Sequence, residues 1–176
     1  MKKIIFIMAA MMLSMAANAQ NWKVNASVDY VFDPSLYDVS INGVSAKAQG
    51  HQYGVNAGVG YNVGDGFYIG IGSGFFGYTV HEKVSGYGYK ETGNENLSII
   101  PLYFDMYRMK PQTYFYEAKI GCAFMLYDGA HEANFFIDVL PVGYTFSNGF
   151  AVAVGYRFLA DDDAINGIAA TVKYQF

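Results

Sequence analysis

"GFAVAVGYRF", Gly149 to Phe158, alternates without a break. Phe150, Val152, Val154, Tyr156 and Phe158 take one phase, and Ala151, Ala153, Gly155 and Arg157 take the other. A period of two marks a β-strand, because successive side chains leave opposite faces of a pleated chain. What each face carries is informative. The bulky face is uniformly apolar, while the other holds small residues and one cation. In a soluble sheet the large apolar face would be covered and the face bearing arginine would be wet. The reverse arrangement suits a closed sheet with small and ionic groups inside and an apolar solvent outside.

The same pattern recurs along the chain. Trp22, Val24, Ala26, Val28, Tyr30 and Phe32 oppose Lys23, Asn25, Ser27 and Asp29. Tyr53, Val55, Ala57, Val59 and Tyr61 oppose Gln52, Asn56, Asn62 and the glycines at 54, 58 and 60. Ile168, Ala170, Val172, Tyr174 and Phe176 oppose Ala169, Thr171, Lys173 and Gln175. Four further segments alternate less cleanly: 67–76, 99–107, 113–126 and 135–146. In the last, the best phase sets Leu140, Val142, Tyr144 and Phe146 on the apolar face, where it also strands Asp138.

Eight strands result. Gly64–Gly66, Met109–Gln112 and Ser147–Gly149 read as tight turns. The other connections, roughly 33–50, 79–95, 127–133 and 160–166, read as longer. Asn42-Gly43 and Ser85-Gly86 lie between alternating residues, so the connections at 33–50 and 79–95 can be drawn either as projecting hairpins or as disordered polar loops. Short turns at one end and long loops at the other, with about ten residues per crossing, predict an all-β fold: an eight-stranded antiparallel up-and-down transmembrane β-barrel.

Composition agrees. No run after residue 19 is long and apolar enough for a membrane-spanning helix. Tyrosine and phenylalanine are abundant, at 16 and 14 residues, and glycine reaches 20. The formal charge of −4 offers no basic surplus for nucleic acid. Cys122 is alone, which rules out an intrachain disulfide. The first residues read as a secretory signal: basic Lys2 and Lys3, an apolar run from Ile4, and small residues at Ala17-Asn18-Ala19. The expected division is a signal peptide over 1–19 and one barrel domain over 20–176.

Seven ionic residues fall in inward phase: Lys23, Asp29, Asp105, Glu117, Lys119, Arg157 and Lys173. Near-balance of sign predicts a paired network in the lumen, because an unpaired buried charge is costly. Glycines at 54, 58, 60, 70, 72 and 74 thin one wall, and Tyr103, Tyr107, Phe115 and Phe135 are expected to fill that space. A barrel of eight strands is just wide enough to be filled by side chains. Trp22, Tyr61, Phe67, Phe146, Phe150, Tyr174 and Phe176, with Tyr114, are expected to form an aromatic girdle at the turn end.

The signal ending Ala17-Asn18-Ala19, the strands Gly58-Val59-Gly60 and Gly70-Ile71-Gly72, the stretch "IIPLYFDMY" and the closing "TVKYQF" resemble small eight-stranded outer-membrane barrels of the OmpX and OmpA-transmembrane-domain type. The resemblance is nearer still to the porin-family barrel domains of Bacteroidetes. It covers residues 20–176 and implies a Gram-negative outer-membrane location. It also implies contact with lipopolysaccharide and a terminal strand read by the barrel-assembly machinery. The function expected is structural or adhesin-like, with an extracellular protein or glycan as candidate partner.

Other chemistry is weaker in the sequence. His51 and His81 share a face and are half of a metal site or a contact to lipid phosphate; Glu82, His131 or Asp161–Asp163 would have to complete a metal site. A lipid A-modifying enzyme would need Ser73 or Ser85 activated by His51 or His81 with Glu82, and no such spacing is present. No catalytic residue, metal or cofactor is therefore assigned. A narrow channel and a soluble lipocalin-like binder are the remaining alternatives. The soluble one would leave a continuous apolar belt in water.

Overall fold

A computed structural model describes residues 21–41, 44–86, 89–127, 130–160 and 165–176. Over 33–39, 41, 47–49, 82, 86, 89–91, 94–95, 127, 130–132 and 165 it describes the backbone alone. The signal-peptide expectation, and Asp161–Asp163, lie outside the described residues.

The chain forms a closed barrel of eight antiparallel strands in sequence order. They are β1 (Trp22–Ile41), β2 (Val44–Gly64), β3 (Phe67–Gly86), β4 (Tyr89–Arg108), β5 (Thr113–Tyr127), β6 (Ala130–Thr145), β7 (Phe150–Ala160) and β8 (Ile165–Gln175). The first and last strands close the barrel over Asn25–Phe32, paired with Gln175–Ile168. The Phe176 amide still donates to the Val24 carbonyl, so pairing runs to the last residue.

The turn end is built as its residues suggest. Gly64, Asp65 and Gly66 all have positive φ, at 130°, 46° and 73°. Glycine adopts such angles without a Cβ penalty, which is why two of the three are glycine. Asp65 is held from the neighbouring turn by Lys110 Nζ at 2.5 Å and Arg108 Nη2 at 3.3 Å. The Lys110 hydrogen bond, then that of Arg108, holds its carboxyl below the ordinary carboxylate range.

The opposite end differs from a set of long loops. β1–β4 are twenty or twenty-one residues long, and β7 and β8 only eleven. The sequence around Asn42-Gly43 and Ser85-Gly86 continues as paired strand, with Ile41 opposite Val44 and Gly86 opposite Tyr89. The supposed loop at 127–133 is also mostly strand, since β5 reaches Tyr127 and β6 begins at Ala130. Length is carried by the strands. Pairing of β2 with β3 continues to Val44–Gly86, so four strands extend as one sheet past the closed part. β1 pairs with β8 only as far as Phe32, and β4 with β5 only from Ser98. Among the described residues, 33–41 and 89–97 are therefore open sheet edges.

Polarity is inverted relative to a soluble barrel. Val154 is 52% exposed and Ala153 beside it 4%. Val28, Val55, Ile71, Leu102, Phe104, Val142 and Val172 face out, while Asp29, Asp105, Glu117, Lys119, Asp138, Arg157 and Lys173 are buried. Inside, apolar layers lie on both sides of the charges. Tyr68, Tyr107, Met109, Phe115 and Leu140 pack towards the turns, and Phe76, Tyr78, Ile99, Tyr103 and Phe136 towards the extension.

Large residues on one wall face glycines on the other. A Cβ on Gly60 would meet the Tyr107 hydroxyl at 2.7 Å, and one on Gly72 the Tyr103 ring at 2.6 Å. Only a missing side chain admits those rings, the large-against-small packing of a narrow barrel.

Strand β6 corrects two expectations. The register slips by one residue against β5 between Phe115 and Glu117, and against β7 between Val139 and Val142. Both slips assign β6 one extra residue around Leu140–Val142, which is a β-bulge. A bulge reverses the in–out phase. Hence Phe136, Asp138 and Leu140 point inward, whereas Val142 and Tyr144 point outward. Asp138 is a lumen residue and Leu140 is not on the outer face. Phe135 is 45% exposed and cannot fill the lumen; Phe136 takes that place.

Candidate functional site: the sealed charge layer and the outer face

Six of the seven inward ionic residues meet in the barrel centre, joined by Asp138. Arg157 on β7 is the hub. Its Nη2 donates to Asp29 Oδ2 at 2.6 Å and Asp138 Oδ2 at 2.5 Å, and its Nη1 to Gln52 Oε1 at 3.2 Å. Its guanidinium lies 4.3 Å from the Phe76 ring centre, a cation–π contact. Thr171 Oγ1 donates to the second oxygen of Asp29 at 3.0 Å, and Asn56 Nδ2 to the first at 2.7 Å.

Lys119 extends the layer. Its ammonium is 3.2 Å from Glu117 Oε2, 3.6 Å from Asp138 and 3.7 Å from Asp29. Lys173 closes it, bonding Asp105 Oδ2 at 2.9 Å and Glu117 Oε1, while sitting 3.7 Å from the Tyr107 ring centre. Lys23 lies in the same phase, near the turn end, and forms no ion pair among the described residues. The set is thus four carboxyls facing three cations. Sequence spacing had suggested more basic than acidic groups, since it counted Lys23 and left Asp138 outside.

The predicted girdle residues lie at the turn end. Trp22 packs edge-on against Tyr61, with ring centres 5.2 Å apart. Phe150, Tyr174 and Phe176 form a continuous group at 4.6 and 4.8 Å, and Phe67 stands 6.5 Å from Tyr116. Phe146 packs edge-on with Tyr144. Each is an amphipathic or apolar ring at one end of the apolar exterior.

At the other end, His51 and His81 come together on the outer face, with ring centres 5.7 Å apart. Tyr30 Oη lies 2.6 Å from His51 Nδ1, and Phe32 packs 5.2 Å from the same imidazole. Among the described residues no three metal-ligating side chains cluster. The side chains of Glu82 and His131 lie outside the described residues.

The residues considered for hydrolysis are not assembled. Ser73 donates to the Pro101 carbonyl at 2.7 Å. It pairs with Ala57, six residues along β2 from His51, a separation of about 20 Å at 3.3 Å per residue. Ser85 is four residues from His81 on the same strand, or about 13 Å.

No protein-family model matches the chain, and no curated protein does. Several solved structures align with the chain. The Yersinia pestis outer membrane protein Ail, in a phospholipid bilayer nanodisc, aligns at TM-score 0.44 and 8% identity, covering 88% of this chain and 99% of that one. The translocator domain of autotransporter NalP from Neisseria meningitidis aligns at 0.44 and 12%, covering 96% and 95%. The beta domain of the Bordetella autotransporter BrkA aligns at 0.39 and 12%, covering 89% and 99%.

Proposed function

We propose that the protein is an integral outer-membrane barrel with a plugged lumen, and that it acts through its projecting sheet as a structural or surface-interaction protein. The inverted polarity carries this reading. An exterior of valine, isoleucine, leucine and phenylalanine around a core of ion pairs has no stable place in water. In a bilayer every backbone group must be paired within the protein, and a closed barrel satisfies that demand. From Val63 to His51 on β2 is twelve residues. That is about 40 Å along the strand, or roughly 28 Å of height at a 45° tilt, matching a hydrocarbon core.

Labels at positions 154 and 153 of the protein refolded in phospholipid vesicles test the orientation. Oxygen, which concentrates in acyl chains, should relax a spin label at 154 and spare one at 153. The opposite order would overturn the reading.

The open edges at 33–41 and 89–97 support the interactive role. Unpaired strand edges offer backbone donors and acceptors to an extended partner segment. Deleting 36–48 and 82–92 should abolish binding to a protein or glycan partner while leaving the barrel folded, and retained binding would reject the role. The reading includes the finer kinship with OmpX-like Bacteroidetes barrels, and recognition of the last strand by the assembly machinery. The exposed Phe176 ring supports the latter. Catalysis is not part of the proposal, because the serines and imidazoles are apart. Conduction is not part of it either, since an ion would have to separate the Arg157 and Lys173 pairs.

A further inference from the structure

We propose that the outer face carries a binding site for one lipid that bears phosphomonoester groups and more than two acyl chains. It pairs an acyl groove over β7 and β8 with an anion clasp at His51 and His81. The proposal rests on the membrane reading above.

The groove is a depression of about 610 Å³ on the apolar exterior, walled by Tyr30 on β1 and by Val142 and Tyr144 on β6. Its floor includes Ala170, Val172 and Val154. Register explains its depth. Tyr30 is opposite Ala170, Ala170 opposite Val154, and Val154 opposite Val142, so one row crosses four strands. Alanine is the smallest side chain of that row, and the rings of Tyr30 and Tyr144 stand at diagonal corners. The outward side chains are aliphatic, with two tyrosines. That lining fits hydrocarbon and leaves nothing to solvate a headgroup.

The polar end begins at Tyr30, which belongs to both features. Its hydroxyl meets His51 Nδ1 at 2.6 Å. With Tyr30 donating, the His51 ring proton resides on Nε2 and is a donor for an anion. His81 follows at 5.7 Å between ring centres. Lys83, two positions further along β3, is exposed in the same phase. The ladder thus runs from a tyrosine at the groove's rim through two imidazoles to an ammonium. His51 stands one hydrocarbon thickness from Val63, at the level of headgroups. Imidazole N–H and ammonium donors at that level complement phosphate oxygens, and such charge-assisted bonds are the stronger class.

Native mass spectrometry of the refolded full chain tests this. The probes are hexa-acylated lipid A with both phosphates, the same lipid without phosphate, and dioleoylphosphatidylcholine. Bisphosphorylated lipid A should be retained about tenfold better than the other two, the scale of one charge-assisted bond. His51→Gln with His81→Gln should erase that preference. Ala170→Phe should lower retention of both lipid A forms; Ala170→Leu serves if the larger ring prevents closure. Equal retention of phosphorylated and unphosphorylated lipid A, or an unchanged preference in the histidine variant, would overturn the site. So would a dimer that excludes lipid, because a second copy would then occupy the groove. Insertion into vesicles, read by heat-modifiable gel mobility, separates the two proposals. An inserted protein without phosphate preference loses only this site, whereas a protein that never inserts loses the membrane reading with it.

Discussion

Replacing Arg157 by methionine should be among the most damaging changes in the molecule. The guanidinium satisfies Asp29 at 2.6 Å, Asp138 at 2.5 Å and Gln52 at 3.2 Å. Once it is gone, only Lys119 faces those carboxylates, at 3.7 and 3.6 Å, and it already serves Glu117 at 3.2 Å. Removing one partner of a buried pair costs about 3–5 kcal/mol because the other charge is left uncompensated. The folding equilibrium should fall roughly a hundred-fold to several thousand-fold. Guanidinium unfolding in phospholipid vesicles measures it, followed by the fluorescence of Trp22, the only tryptophan. The diagnostic arm is Asp138→Asn in the same background. It removes one orphaned charge, so the double variant should regain about 1 kcal/mol or more over Arg157→Met. Arg157→Lys should fall between, since one ammonium cannot reproduce the planar fork. A loss below about 1 kcal/mol for the methionine variant would refute the reasoning, for then the charges were not excluded from water. A double variant weaker than the single would refute it too.

Val154→Arg should destabilise the inserted protein by about 2–4 kcal/mol, and Phe150→Arg near the turn end by about 0–1 kcal/mol; equal losses in vesicle refolding would contradict the depth assignment. Gly72→Ala places a Cβ 2.6 Å from the Tyr103 ring and should cost about 1–3 kcal/mol by overpacking, with Tyr103→Leu relieving it in a double-mutant cycle. Because Lys110 and Arg108 depress Asp65 in the folded state, its stabilisation is complete above the unfolded carboxylate value of about 4 and disappears as pH falls through the lower folded value. Asp65→Asn should therefore flatten the stability profile below about pH 4, and superimposable acid limbs would count against the clamp.

Most of the barrel was legible because its two faces differ so sharply in chemistry. Val152, Val154 and Tyr156 against Ala151, Ala153 and Arg157 leaves one reading of in and out. Legibility failed where the period broke. The extra residue near Pro141 reverses the phase within β6, and nothing local to "FFIDVLPVGYTF" marks it except an aspartate that fits neither face well. Asp138 was the signal: a carboxylate stranded in an apolar phase is better explained by a bulge than by an exception. The partners in the charge layer were not legible, since Arg157 and Asp29 are 128 residues apart and meet only when the barrel closes. The strand extensions were half legible. Asn42-Gly43 announces a turn, but polar alternation does not say whether the flanks pair.

The charge layer also bears on how the barrel closes in one register. Seam pairing of β1 with β8 spans only Asn25–Phe32, and its outer face, Ala26, Val28, Tyr30 and Phe32 against Tyr174, Val172, Ala170 and Ile168, is apolar or aromatic throughout. A slip of two residues would keep every side chain on its proper face, so polarity alone does not forbid it. It would, however, move Asp29 by about 6.6 Å along the strand. Thr171 on β8 and Arg157 on β7 both bind Asp29, and neither contact survives such a shift. The slipped barrel would take the Asp29 carboxylate away from Arg157 in a sealed interior and leave that guanidinium with Asp138 alone, a penalty of several kcal/mol. The ion pairs therefore need contribute little net stability to matter. They raise the energy of the neighbouring registers, and by reaching from β1 to β7 and β8 they do so across the seam that the last strand must close.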